Sequence, residues 1–365
     1  MSKSKITKFQ EEAYDEPVQK PFVMKRANEW IDIAKNCPTQ NKLFGDLWFE
    51  NEIAVLFAET NAGKSILAVQ IADSISSGVP IDPFGLSADA QMVVYFDFEL
   101  SDKQFEARYS VEGREHYRFD SRLIRVEINP DAEVPCGDYT QYICEAIEAC
   151  IMEVKAKVAI IDNITYLNDE LEKAKDALPL MKMLKAIKKR HNLSFLILAH
   201  TPKRDRSRPL SKNDLQGSKM IINFVDSAFV IGESALGKDM RYIKHLKARN
   251  TSRMYDGTNV LGCRIEKEHN FLRFVFLETG PEKEHLSEKS KMEHGQLIEK
   301  TLELHEKGFS SRYIADVCGV SHTTINRLIK ELRQRGELGK DGTSECVTDV
   351  PLFTDVPECS KGNAE

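Results

Sequence analysis

The sequence predicts an α/β protein: a mainly parallel sheet with helices on both faces, antiparallel strands at one edge, and a small all-α module after it. Three observations carry this. Short apolar runs at 53–58, 92–98, 123–128, 158–162, 195–199 and 228–231 alternate with helical patterns at 64–77, 101–111, 138–155 and 174–191. Strand and helix alternating at this spacing imply parallel strands joined by crossovers. Runs at 240–246, 260–266 and 271–277 then follow with only turn chemistry between them, Asp256-Gly257 and His269-Asn270, as antiparallel edge strands require. Helical spacing returns over 296–336.

Element by element, residues 1–42 form a polar arm. It carries a short amphipathic helix between Phe22 and Asn36, with Val23, Ala27, Trp30, Ile31 and Ala34 on its apolar side. Residues 43–281 form the α/β domain, 282–295 a charged linker and 296–336 the helical module. The segment 337–365 has seven acidic residues against two lysines and a duplicated Thr-Asp-Val-Pro at 348 and 354, a composition that predicts a disordered tail.

Composition excludes several classes. With 41% hydrophobic and 30% charged residues and a net charge of −6, the chain of 365 residues reads as an ordinary globular protein. No apolar run is long enough to cross a membrane as a helix, and the polar N-terminus does not read as a secretory signal. The eight cysteines show neither a C-x-x-C pair nor metal-ligand spacing with histidine, so reduced thiols in a cytoplasmic protein are expected.

The chemistry is concentrated at strand ends. The β-branched run 53–57 leads into Ala58-Glu59-Thr60-Asn61-Ala62-Gly63-Lys64-Ser65-Ile66 and then a helix, the context a phosphate-binding loop needs. Gly63 lets the backbone approach a phosphate, and helix N-terminal N–H groups point at the anion. Lys64 would neutralise the β/γ-phosphates of ATP, and the Ser65 hydroxyl would take one Mg2+ position. Ala58 stands where a glycine is usual, and Glu59-Thr60-Asn61 is bulky for such a loop.

A second carboxylate must hold the hydrated Mg2+, and Asp162 closes an apolar strand at the ligand-binding edge of an open α/β sheet. Hydrolysis also needs a group that orients or deprotonates water. Asp97 and Glu99 both qualify, and alternation puts them on one face. Glu99, nearer the edge, is the choice for the catalytic carboxylate, with Asp97 second. The run 195–199 delivers His200 to the same edge, where it would sense the γ-phosphate.

These motifs together resemble the RecA/DnaB superfamily. The stretch from Glu99 through Ser101 and Gln104 to Arg108 is similar to the Glu-Met-Ser…Gln…Arg element of DnaB-type replicative helicases. Arg208-Pro209-Leu210-Ser211, then Asp214-Leu215-Gln216-Gly217-Ser218 and Asp226-Ser227, resemble the family's DNA-facing loop and following strand. Lys247-Ala248-Arg249-Asn250 is similar to its Lys-x-Arg-Asn element. The position of His200, and the lack of an N-terminal helical domain in this sequence, look more like compact RepA-type hexameric ATPases of plasmids.

The resemblance implies a RecA-like core assembled into a homo-oligomeric, hexameric ring with ATP at subunit interfaces. Lys247 and Arg249 would then act on a neighbour's γ-phosphate. Lys203, Arg204, Arg206, Arg208 and Lys212 would track single-stranded DNA in the central channel.

The helical module closely resembles a helix-turn-helix. Ala315 allows close helix crossing, Gly319 turns the chain, Ser321 caps the next helix, and Val320, Ile325, Leu328 and Leu332 face inward. The outward His322, Thr323, Asn326, Arg327 and Lys330 suit duplex DNA. The expected function is an ATP-hydrolysing helicase in plasmid or mobile-element replication. The alternative is an ATP-switched, site-specific DNA-binding regulator that does not translocate.

Overall fold

The computed structural model describes residues 22–133, 138–167, 177–202, 204–215, 218–287, 291–318 and 320–338. The expected arm before residue 22, Lys203, Gly217, Gly319 and the acidic tail from 339 lie outside the described residues.

The chain opens with α1 (Ala27–Lys35) and a small hairpin, β1 (Lys42–Phe44) with β2 (Trp48–Phe49). Then come β3 (Ile53–Ala58), α2 (Lys64–Ser77), β4 (Val93–Asp97), α3 (Asp102–Arg108), and a second hairpin, β5 (Ser110–Val111) with β6 (Glu115–His116). They are followed by β7 (Leu123–Val126), α4 (Tyr139–Glu153), β8 (Val158–Asp162), α5 (Ala177–His191), β9 (Ser194–His200), α6 (Ser218–Phe224) and β10 (Ser227–Glu233). Three long strands close this part, β11 (Met240–Lys247), β12 (Val260–Glu268) and β13 (Phe271–Gly280).

The principal sheet runs β13-β12-β11-β10-β3-β9-β8-β4-β7. Pairing is parallel from β7 through β10 and antiparallel from β10 to β13. The protein has an α/β fold, a mainly parallel sheet with flanking helices and antiparallel strands at one edge. Register matters for function: Ala58 pairs with His200, and Asp97 with Asp162, so these strands end level at one edge.

Alternation along β3 splits the core in two. Val55 and Phe57 face α4, α5 and α6, meeting Ile147, Leu184 and Ile221 among others. Ala54, Leu56 and Ala58 face α2 and the antiparallel strands, meeting Leu67, Ile71 and Phe274. Because β3 is covered on both faces, it reads as an unbroken apolar run. Left-handed Gly78 stops α2, its N–H returning to Ser74 O at 2.9 Å.

Three departures from the sequence reading have physical causes. The N-terminal helix starts at Ala27, and none of its residues is buried; Trp30 and Ile31 remain about half exposed because neither joins a hydrophobic cluster of the described residues, and the Trp30 ring meets the Lys25 ammonium, 4.8 Å from its centre. Both small hairpins went unanticipated, being too short to show a period. The segment from 282 does not begin as a free linker. Glu282 is buried against Lys244, and helix resumes at Lys291 rather than 296.

A second compact unit begins at Ser287. Within it α7 (Lys291–Glu306), α8 (Ser311–Cys318) and α9 (His322–Gln334) enclose Ile314, Ala315, Ile325, Leu328, Ile329 and Leu332. Ser321 caps α9, accepting from Thr324 N at 3.2 Å. His322, Thr323, Asn326, Arg327 and Lys330 all lie on its exposed side. Among the described residues no helix is long and apolar enough to cross a membrane.

Candidate active site at the carboxyl edge of the sheet

The loop from β3 to α2 brings Gly63 to φ 103°, a left-handed conformation that disfavours side chains. A Cβ there would stand 2.7 Å from Ile265 Cδ1 and 2.8 Å from Phe274 Cζ. The antiparallel strands thus press on the loop from one side. Gln70 fixes that contact, its Nε2 donating to Phe274 O at 3.0 Å and its Oε1 accepting from Phe274 N at 2.8 Å. Arg241 Nε donates to Ala62 O at 3.3 Å.

Lys64 is buried and curls back into the site. Its ammonium donates to Ala58 O and Glu59 O, each at 3.3 Å, and stands 3.2 Å from His200 Nδ1. Three donors therefore meet three acceptors. With Nδ1 accepting, the imidazole hydrogen belongs on Nε2, which lies 3.1 Å from Glu99 Oε1. Asn163 Nδ2 also donates to Glu99 Oε1, while Asn163 Oδ1 accepts from Thr165 N at 2.9 Å. The His200 hydrogen bond, with the nearby Lys64 charge and Asn163, holds Glu99 below the usual carboxylate range; burial works against it. Burial lowers Lys64, while Asp162 and Glu99 pull it back up.

Asp162 is fully buried, and burial pushes its carboxyl up to about 6 against the opposing hydroxyls of Ser65 and Tyr95. Tyr95 donates to Oδ2 at 2.6 Å. Oδ1 has no hydrogen-bond partner among the described residues. An orphaned carboxylate oxygen, beside a serine hydroxyl in the first turn of a helix, fits the oxygen donor set of Mg2+.

Asp97 and Glu99 are separated by their partners. Asp97 is buried, accepts from Glu99 N at 3.2 Å and Leu100 N at 3.0 Å, and pairs with Arg125 at 2.9 Å. Arg125 also reaches Asp102 at 2.9 Å and Leu100 O at 2.7 Å. Asp97 thus shapes the turn, and Glu99 projects from it toward Lys64 and His200.

Lys247 and Arg249 do not join this cluster. Lys247 pairs with Ala228, which pairs with Val55, so both residues sit toward the opposite edge of the sheet. Lys247 Nζ donates to Ile222 O at 2.5 Å and Val225 O at 2.8 Å. Arg249 pairs with Asp226 at 2.8 Å and donates to Asn223 O at 3.2 Å.

The basic loop differs from a free row of cations. The Arg204 side chain is only 11% exposed, facing Asp214 at 3.9 Å and donating to Arg208 O. Arg204, expected to track single-stranded DNA, is here covered by the loop folding over it. Arg206 pairs with Glu59 and Glu233. Arg208 and Lys212 face solvent, and Arg208 stands 3.5 Å from Asp205.

Sequence reasoning missed Tyr95, Asn163, Arg125 and Gln70. Tyr95 and Asn163 each neighbour a recognised strand end, and that was the available signal. Arg125 and Gln70 act through tertiary contacts that no local pattern announces.

The fold and this cluster define a P-loop ATPase. A family model described as an AAA domain matches residues 19–206, more than half of the chain, and the protein belongs to that family. Among solved structures it is similar to a KaiC-like protein from the hyperthermophilic archaeon Pyrococcus horikoshii, at 14% identity and a TM-score of 0.42, over 62% of this chain and 91% of that one. No curated protein matches.

Proposed function

We propose that this protein is a Mg2+-dependent ATPase that assembles into a homo-oligomeric ring, hexameric by its resemblance to RepA-type proteins, and acts on DNA as a helicase in plasmid or mobile-element replication. The observation that carries the reading is the split between the two charged clusters. Lys64, Ser65, Asp162, Glu99 and His200 converge at one sheet edge, while Lys247 and Arg249 lie toward the other. An arginine that serves hydrolysis from there must serve a neighbour's nucleotide.

In this reading Lys64 leaves Ala58 O and Glu59 O to meet the β- and γ-phosphates. Ser65 and Asp162 hold the Mg2+, which supplies charge neutralisation at the phosphate oxygens. Glu99 orients the attacking water and accepts its proton. His200, touching both Lys64 and Glu99, responds when the γ-phosphate departs. Arg208 and Lys212 meet the strand backbone, and the exposed face of α9 meets duplex DNA.

The second reading, an ATP-switched DNA-binding regulator, is favoured by one feature: Arg204 and Arg206 are occupied within the chain, leaving fewer free cations for a threaded strand. Steady-state ATP hydrolysis over a range of protein concentrations, with and without single-stranded DNA, separates the two. A rate per subunit that rises with assembly and again with DNA, together with strand displacement, supports the helicase. Slow turnover indifferent to single strands, with tight binding of one duplex sequence, supports the regulator.

A further inference from the structure

Glu59 puts a carboxylate in the loop that the nucleotide's phosphates would occupy. Its side chain is mostly covered and is met by Arg206, whose Nη2 donates to Oε2 at 3.1 Å. The other arm of the same guanidinium pairs with Glu233 at the end of β10. Glu59 also engages Lys64, because its carbonyl is one of the three acceptors the ammonium must leave to reach a phosphate.

Arg206 belongs to the basic segment after β9, and that segment is pinned on both sides of it. Thr201 N donates to Ala58 O at 2.9 Å, tying its start to the phosphate loop. Leu210 is held by a buried pair: its N–H donates to Glu282 Oε1 at 2.7 Å, and its carbonyl accepts from Lys244 Nζ at 2.7 Å. Lys244 and Glu282 meet at 2.5 Å, and Tyr242 donates to Glu282 at 3.2 Å. Between these anchors the Arg206 side chain is 53% exposed, whereas Glu59 and Glu233 are 17% and 21% exposed. One side of the guanidinium therefore covers the carboxylates and the other is open to solvent.

We propose that Arg206 is shared between two anions: it neutralises Glu59 so that the phosphate loop accepts a nucleotide, and a nucleic-acid backbone draws it away, so that polyanion and nucleotide oppose each other through one arginine. The proposal rests on the nucleotide and nucleic-acid roles given to the two loops above. Removing Arg206 leaves the Glu59 carboxylate, which belongs to the phosphate loop, uncompensated, and by linkage the factor by which a polyanion weakens nucleotide binding equals the factor by which nucleotide weakens the polyanion. The pair is half open to water, so its effect is modest and shrinks with salt.

The test is the affinity of the full chain for a fluorescent non-hydrolysable ATP analogue, in Arg206→Gln, Glu59→Gln and the double variant, with and without an oligothymidylate. Arg206→Gln should weaken binding by about two- to fivefold, the range of a solvent-screened pair. Glu59→Gln should tighten it, and Arg206→Gln should then have no effect in the Glu59→Gln background. Oligothymidylate should weaken analogue binding in the unmutated protein and not in Glu59→Gln. An equal Arg206 effect in both backgrounds, or equal weakening by oligothymidylate with and without Glu59, overturns the proposal. Lys64→Ala keeps the two levels apart. Analogue binding that survives it overturns the nucleotide-site reading as well, whereas Lys64-dependent binding without an Arg206 effect overturns this proposal alone.

Discussion

Nζ of Lys64 stands 3.2 Å from Nδ1 of His200. Through its other nitrogen the same ring reaches Glu99 at 3.1 Å. One imidazole thus joins the group placed to bind phosphate to the group placed to activate water, and a change at either end alters the hydrogen bonding of the other.

Glu99→Gln should retain nucleotide binding and lose turnover by about 10²–10⁴-fold, the usual contribution of a positioned base. Asp97→Asn should act differently. It weakens a buried ion pair with Arg125 and costs about 1–3 kcal/mol in denaturant unfolding. Turnover and analogue affinity, measured beside stability, separate the two; loss of turnover in Asp97→Asn at full stability would transfer the catalytic role.

Tyr95→Phe removes the hydroxyl that donates to Asp162 at 2.6 Å. A buried acceptor left without its donor costs about 1–3 kcal/mol, and the Asp162 carboxyl should move further up. Chemical denaturation reads the first effect. The pH midpoint of Mg2+-dependent nucleotide binding reads the second and should rise.

Asp162 also sets a pH dependence. Its folded value of about 6 lies above the ordinary aspartate value of 3.8, so the folded protein holds this proton more tightly than the unfolded chain. The stabilisation is fully present below the unfolded value and is lost as pH rises through about 6. Without ligand, this group makes the protein less stable across that window. Mg2+-nucleotide binding has the opposite sign, because the cation needs the carboxylate, and it should weaken as pH falls below about 6. Melting curves against pH, with and without Mg2+ and the analogue, show both slopes, and Asp162→Asn should remove the Mg2+-dependent part.

Gly63→Ala places a Cβ in a left-handed residue and against Ile265 and Phe274. The conformational cost alone is about 1–2 kcal/mol. Ile265 can rotate away, but the backbone of Phe274 is clamped by Gln70. Melting temperature and nucleotide affinity should both fall; a variant that binds the analogue normally would show that the loop does not need this backbone shape.

The parallel strands were legible because each is a short apolar run ending at a turn or a polar residue, and burial on both faces leaves no competing pattern. The phosphate loop was legible from local order alone, strand, glycine, lysine, helix. Alternation alone could not separate Asp97 from Glu99, which were ranked only by nearness to the edge, because the partner that distinguishes them, Arg125, comes from β7. The covering of Arg204 was not legible, because a charged loop looks solvated in sequence, whereas here it folds back over its own arginine. The exposed side of α1 and the salt bridge between Glu59 and Arg206 depend on what stands nearby in space, which periodicity does not encode.

The in-trans role of Arg249 tests the account most directly. Lys64→Ala and Arg249→Ala should each abolish ATP turnover, the second by about 10³–10⁵-fold if it acts as an arginine finger. Mixing the two variants should restore turnover, because a Lys64→Ala subunit still presents Arg249 to the nucleotide of an Arg249→Ala neighbour. Hydrolysis that returns on mixing and rises with protein concentration is the predicted result. No recovery in mixtures that demonstrably co-assemble would contradict a shared site between subunits.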